Sequence, residues 1–426
     1  MNITGFIDRQ IIQIRQGGHK VLARKITIAL PILFNSIWAL PIVLLIRLIR
    51  PIFLVRFGGL ISSRIGHFAA NTELFLCERD ANINKPNQCF VDLFYFASLP
   101  VCNQQLAVMW KRVLTVWPAC LLKPVVYVNG LIPGGSVHVI DISTQQVRDF
   151  YNLVDRYPSH LNFTDEEETR GALLLEGMGI PPGVDFVCLN VRDDAYLKVH
   201  QTGFDWSYHN YRDSDIQNYI LAVEALADLG YFVIRMGAKV NEGINSIHPR
   251  VIDYAVNGMR SDFMDIYLGS KCLFCISTGT GWDNIPYIFR RPIALVNFVP
   301  LAGILKDYTN FISITKHYFD KQTKKELSLC DIINKGALLY SYSNEYESNG
   351  LQLRENSPEE IRDVVIEMLE RLIGTWKPHE DDEALQKRFW VILSEALKAL
   401  YSRSLDGERL ARYGALFLRN NREWLL

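Results

Sequence analysis

The stretch KCLFCISTGTGWDNIPYIFRRPIALVNF, residues 271–298, limits what this chain can fold into more than any other. After Lys271 the next five residues, CLFCI, are apolar and read as a buried strand. Ser277, Thr278, Gly279, Thr280 and Gly281 follow, and then a short helical piece around Asp283–Arg290. Pro292 closes that piece, and IALVNF (293–298) reads as a second buried strand. Strand, hydroxyl- and glycine-rich turn, helix and strand in that order belong to the α/β class. In such a turn backbone N–H groups can approach an anion at a helix N-terminus, and phosphate suits the place. The alternative is an ordinary tight turn with glycines for geometry alone.

The same alternation runs through the rest of the sequence. PIFLVRFGG (51–59) reads as a strand, followed by a helix from about Arg64 to Leu76 with Gly66 and His67 near its start. DLFYFAS (92–98), VYVNG (126–130) and SVHVID (136–141) are candidate strands, with a helix around 104–113. Residues 164–178 read as a helix with Thr164 as N-cap and acids in the first turn, where the helix dipole favours them. IPPG (180–183) breaks the chain, and a domain boundary is expected there, since 426 residues suit two domains. The second half offers strands at 185–191, 231–237 and 250–255 and helices over 214–229 and 261–270. Ser357, Pro358 and Glu360 form a capping box that starts a helix over 358–372, and a second charged helix spans about 381–403. The expected division is a membrane-associating segment at 1–50, an N-terminal domain at 51–179, a C-terminal domain at 180–375 and a helical tail at 376–426.

Charge is distributed unevenly. Residues 1–60 carry eight Lys/Arg and the single acid Asp8, a sum of +7, which leaves −8 on the remainder. From Ile26 to Ile46 there are 21 residues without a charge, flanked by Arg24, Lys25, Arg47 and Arg50. That is long enough to cross a bilayer, which takes about 20 residues. However, Pro31 and Pro41 interrupt it, Asn35 and Ser36 sit at its centre, and both flanks are basic. An in-plane or hairpin-like anchor on an anionic membrane fits these features better than a span, and a buried core helix is the third reading. No small-residue cleavage site marks a secretory signal. The eight cysteines have no paired spacing, which suits reduced thiols in the cytosol. Cys272 and Cys275 form one CxxC without a second ligand pair, so no metal is expected.

In open α/β sheets ligands sit beyond the C-terminal ends of the strands. One such end carries Arg192, Asp193 and Asp194. Another carries Arg235, with Lys239 close behind, and the third is the Ser277–Gly281 turn. Two guanidinium groups and a turn of backbone donors suit a diphosphate. The competing reading pairs Arg192 and Arg235 with nearby aspartates. The turn lacks the third glycine of a dinucleotide fingerprint, having Asn284 in its place, and no acid follows at the right distance before Asp307. Asp213-Ser214-Asp215 matches a metal-holding DxD but directly precedes a helix, so a capping role is expected. His67 is a candidate general base because its ordinary pKa suits proton removal near neutrality, with Asp193 and Asp194 as rivals.

Five segments in order, RFGGLISSRIGHFAAN (56–71), NVRDDAYL (190–197), YRDSDIQNYILAV (211–223), VIRMG (233–237) and SDFMDIYLGSKCLFCISTGTGWDNIP (261–286), resemble a bacterial family of glycosyltransferases found in surface-polysaccharide gene clusters. The resemblance covers about residues 50–300. It implies a GT-B-like fold, two Rossmann-like domains facing a cleft, and metal-independent sugar transfer with no bound cofactor. The donor would be a nucleotide sugar and the acceptor a cell-surface glycan or lipid-linked glycan. No nucleic-acid partner is expected, and the place implied is the cytoplasmic face of the inner membrane. The donor phosphates would contact Arg192, Arg235, Ser277, Thr278, Gly279, Thr280 and Gly281. Gly66, Arg212, Lys239 and Asp283 would complete the substrate site, with His67, Asp193 or Asp194 in catalysis. Where the family resemblance leads one to expect Arg-Asn after the tyrosine, this chain has Arg212-Asp213. A nucleotide-sugar epimerase or hydrolase, or a non-catalytic glycan- or membrane-binding scaffold, would use the same fold.

Overall fold

A computed structural model describes residues 34, 36–142, 149, 151–200, 205–304, 310–401 and 411–426. Of the apolar segment 26–46, residues 26–33 and 35 therefore lie outside the described residues. The chain forms two compact units. The first comprises residues 1–63, 84–101 and 110–144, and the second comprises residues 64–83, 102–109 and 145–426. This division differs from a boundary at 180, because three stretches upstream of it build the second unit.

The first unit contains a parallel three-stranded sheet, β1 (Leu54–Leu60), β2 (Phe90–Phe96) and β3 (Val139–Ile140), in the order β2-β1-β3. Arg56 of β1 grips Asp92 of β2 through two bonds of 2.7 and 2.8 Å, so this buried pair fixes the register. Val55 and Phe57 pack with Ala39 and Val43 of a helix over 36–49 and with Leu122, Val125 and Val128 of helix Ala119–Leu131. That second helix takes up VYVNG, expected as a strand. Its Leu122, Val125 and Val128 recur at helical spacing, and tertiary packing on this stripe overrides the β-preference of the Val-Tyr-Val run. Among the described residues no helix is long and apolar enough to cross a membrane.

The second unit is built on a seven-stranded parallel sheet. Its strands are β4 (Phe186–Asn190), β5 (Phe232–Arg235), β6 (Val251–Asp253), β7 (Cys275–Ser277), β8 (Ile293–Leu295), β9 (Phe311–Ser313) and, after the two-stranded ribbon β10 (His317–Asp320) and β11 (Leu351–Arg354), β12 (Arg412–Tyr413). The order is β12-β9-β8-β7-β4-β5-β6. The first strand, β4, therefore lies inside the sheet. The chain runs outward from it to β6, returns to β7 on its other side, and runs outward again to β9. This is the doubly wound order, and its switch point falls between β4 and β7.

Both sheet faces are covered. Val187, Leu189, Val233, Ile276, Ala294 and Ile312 face one cluster, joined by helices Ile220–Asp228, Pro358–Ile373 and Asp382–Tyr401. Phe186, Cys188, Ile234, Cys275, Ile293 and Leu295 alternate with them and face the other, with Phe263, Met264, Tyr267 and Leu268 of helix Asp262–Lys271. Strands buried on both faces read as continuous apolar runs, which is how β4, β7 and β8 appear in the sequence. The expected caps form as well. Thr164 and Glu167, and Ser357 and Glu360, make reciprocal capping boxes, and Ser261 caps the helix that leads to β7.

Candidate functional site at the sheet switch point

Everything in this region belongs to the second unit. β7 ends at Ser277, and the turn that follows is held by its own side chains. The Asp283 carboxylate accepts from the Ser277 hydroxyl at 2.8 Å and from the Thr280 N–H at 2.7 Å. Ser277 Oγ accepts from the Gly279 N–H at 3.1 Å, and Thr280 Oγ1 from the Trp282 N–H at 3.2 Å. The Gly279, Thr280 and Trp282 amides are thus already occupied, which corrects the expectation of an open cradle of turn amides. Asp283 is a turn-building residue. Burial pushes its carboxyl up to about 6, although the Ser277 and Thr280 donors favour the charged form. Gly279 sits at φ +78 with the Phe298 ring beneath it, where a Cβ would come within 2.5 Å, so both backbone and space demand glycine.

β4 ends beside this turn. Asn190 donates to Thr280 Oγ1, and the Arg192 N–H donates to Thr278 Oγ1 at 3.0 Å. The Arg192 side chain reaches Asp213 at 3.1 Å. Arg212 donates to the Gly279 carbonyl, and its Nε is buried with no hydrogen-bond partner among the described residues. Between these cations stands His209. Burial and the nearby charges of Arg192, Arg212 and Arg64 drive its pKa down to about 4. Its Nδ1 is buried and has no hydrogen-bond partner among the described residues. Three guanidinium groups, one of them paired with Asp213, thus act on one neutral imidazole near the switch point where an open α/β sheet takes its ligand. Sequence reasoning missed Arg64 and His209. The signal was the run WSYHNYR (206–212), where cationic and aromatic side chains alternate. The His209 ring lies nearly parallel to both Trp206 and Tyr342, 6.2 and 6.4 Å away, and Tyr208 is 4.1 Å from it.

Gly66 and His67 come to the same place. Gly66 packs against the turn so tightly that a Cβ there would lie 3.0 Å from the Gly281 carbonyl oxygen. His67 is half-buried. Burial lowers its pKa below the ordinary histidine value and Arg64 adds to this, while the Asn71 side chain works against them. The ring is therefore neutral near pH 7, as a proton acceptor must be.

Arg235 does not join this group. It is 1% exposed, donates to Asp253 of β6 at 3.3 Å, and lines a pocket of about 290 Å³ at the ends of β4 and β5, which Asp213, the partner of Arg192, also lines. Carboxylates dominate that pocket: Asp193, Asp194, Asp213, Asp215, Glu242 and Glu355. Asp193 accepts from the Ala195 and Asn241 amides. Asp194 is bonded by Lys198 and Asn241, which hold its pKa below the carboxylate range and make it a poor base. Both aspartates thus work as loop anchors. Asp215 caps the turn at Ile216–Tyr219 through the Gln217 N–H, as expected of the second acid in the DxD match. Lys239 is exposed beside Gly237. Asp213, in the position where the resemblance leads one to expect asparagine, pairs with Arg192 and is pushed up to about 6 by burial. All eight cysteines are free, and Cys272 and Cys275 are buried.

Glu73, Cys77 and His160 bring three ligand-type atoms within 4.8 Å of one another. Arg290 bonds Glu73 at 2.6 Å and already supplies the positive charge there.

No family model matches the chain, and no curated protein matches it. Two solved structures match at low similarity. The E. coli ADP-heptose lps heptosyltransferase II is 12% identical, with 75% of this chain and 99% of that chain covered and a TM-score of 0.42. A glycosyl transferase family 9 protein from Veillonella parvula DSM 2008 is 9% identical, with 57% of this chain and 80% of that chain covered and a TM-score of 0.36.

Proposed function

We propose that this protein is a GT-B-like glycosyltransferase that moves a sugar from a nucleotide-sugar donor to a glycan or lipid-linked acceptor. The observation that carries the reading is the cluster of Arg64, Arg192 and Arg212 around a neutral His209 at the β4–β7 switch point. A diphosphate is the ligand whose charge and size suit it. In the transfer, an acceptor hydroxyl oxygen bonds to the anomeric carbon as the carbon–oxygen bond to the diphosphate breaks. The hydroxyl proton passes to the neutral His67 ring, and the nucleoside diphosphate leaves with the bonding pair. The guanidinium groups stabilise the charge growing on the leaving oxygen, a role that needs no metal ion. Trp206, Tyr208 and Tyr342, packed around His209, supply flat apolar surface for a base. The acidic pocket at β4–β5 repels phosphate, so the donor charge is confined to the β7 side.

A thermal-shift and calorimetric series with UDP, GDP, CMP and dTDP sugars tests this. One nucleotide class is expected to raise Tm, and Arg212→Ala is expected to weaken its binding by ~10- to 100-fold, the worth of one charge-assisted contact. Arg235→Met, with its fold checked by circular dichroism, is expected to bind as the parent does. Binding that is insensitive to Arg192→Ala and Arg212→Ala alike would remove the phosphate assignment.

A further inference from the structure

The helix over 36–49 has two apolar faces, and among the described residues only one of them is packed against the protein. Ala39 and Val43 point inward, 0% and 1% exposed, and pack on β1 and on helix Ala119–Leu131. The opposite arc carries Ile37, Leu40, Pro41, Leu44, Leu45 and Leu48, spaced i, i+3, i+4, i+7, i+8 and i+11. That is the spacing of a face built to be buried. Yet Ile37 is 74% exposed, Leu44 54%, Leu45 57% and Leu48 76%, and Ile52 just beyond the helix is 82% exposed. Leu121, Tyr127 and Leu131 of the neighbouring helix are exposed as well. An exposed apolar face of this kind marks an interaction site.

The geometry points to the plane of an anionic lipid bilayer as the partner of this face. Charge selects it over another protein. The sequence contains no Asp or Glu between Asp8 and Glu73, and Arg50 at the helix end is exposed. An apolar face with basic and no acidic flanks complements anionic headgroups above acyl chains. The expected anchor at 26–46 thus shifts toward residues 37–53, with helix Ala119–Leu131 beside it. This inference is independent of the sugar-transfer reading.

Sedimentation of the full chain with vesicles tests it. The protein is expected to co-sediment with phosphatidylglycerol/phosphatidylethanolamine vesicles, and with phosphatidylcholine vesicles at least tenfold more weakly. Leu44→Glu/Leu48→Glu is expected to lose at least tenfold in vesicle binding. Ile52→Glu, at a position with almost no packing to lose, is expected to weaken binding with an unchanged lipid-free melt. Equal sedimentation of the parent and both variants would overturn the proposal. So would a lipid-free dimer, seen by light scattering, that the variants dissociate, because a second copy would then be the occupant. A large drop in lipid-free Tm in Ile52→Glu would also overturn it, showing that the chain itself covers the face.

Discussion

At the scale of single residues, the site turns on the charge of His209. Burial first, and then the charges of Arg192, Arg212 and Arg64, lower its pKa to about 4, so the ring is neutral at pH 7. A bound diphosphate adds opposite charge within reach of the ring and favours the protonated form. The His209 Cε1–H resonance is therefore expected to titrate near pH 4 in the free protein and at a clearly higher pH with nucleoside diphosphate bound. By linkage, the nucleotide binds more tightly as pH falls through the bound-state pKa, because the complex holds the extra proton. An unmoved His209 titration would place the anion elsewhere. Asp283 is the second residue on which the site depends. Asp283→Ala leaves the Ser277 hydroxyl and the Thr280 N–H without their acceptor in a buried place, at a cost of about 1–3 kcal/mol each. Urea unfolding is expected to show that loss, together with weakened nucleotide binding as the turn loosens.

At the scale of elements, β10 is tied to helix Pro358–Ile373 through one ring. His317 Nδ1 meets Glu326 at 2.5 Å and Nε2 meets Glu360 at 2.9 Å. Burial opposes the charged ring, but the two carboxylates overcome it and raise the pKa from 6.5 to about 9. The folded-state value lies above the unfolded one, so the contribution is complete below pH 6.5 and is lost as pH rises through 9. It amounts to at most about 3 kcal/mol. Denaturation midpoints measured from pH 6 to 10 are expected to fall over that window in the parent and to stay flatter in His317→Gln. The same element shows what the sequence discloses and what it hides. Ser357, Pro358 and Glu360 announce the helix because a capping box is local, and Glu360 Oε2 does accept from the Ser357 N–H as that pattern requires. Nothing local says that the same oxygen also receives His317. The site divides likewise. The strand–turn–helix around Ser277 was legible from composition and spacing alone. The pairing of Arg235 with Asp253 was not, because it depends on β5 lying beside β6. Asp283 was expected to contact substrate, and its part in closing the turn needs coordinates.

At the scale of the whole molecule, the chain visits the second unit before the first is finished. Residues 64–83 supply Glu73, fully buried, whose Oε1 receives Arg290 at 2.6 Å. Residues 102–109 supply Asn103 and the Gln104 N–H, which bond Asp262 at 2.9 and 2.7 Å at the start of the helix leading to β7. Residues 145–179 supply Glu168, bonded to Lys271 at 2.6 Å, and Gly171, which packs so closely on the Tyr267 ring that a Cβ would lie 2.2 Å from it. A boundary drawn at the IPPG break is attractive in sequence because prolines and glycine end a helix there, yet it cuts through this set of contacts. Fragment 180–426 keeps every strand of the large sheet. It nonetheless loses the cover over Phe263 and Tyr267 and leaves Arg290 without Glu73. Removing one partner of a buried charge pair alone costs about 3–5 kcal/mol, a large part of the 5–15 kcal/mol that holds an ordinary domain together. The fragment is therefore expected to show a weakened near-ultraviolet circular dichroism signal and no cooperative thermal transition, while the full chain melts cooperatively. A cooperative melt of the fragment within a few degrees of the full chain would mean that the upstream stretches decorate the second unit without completing it.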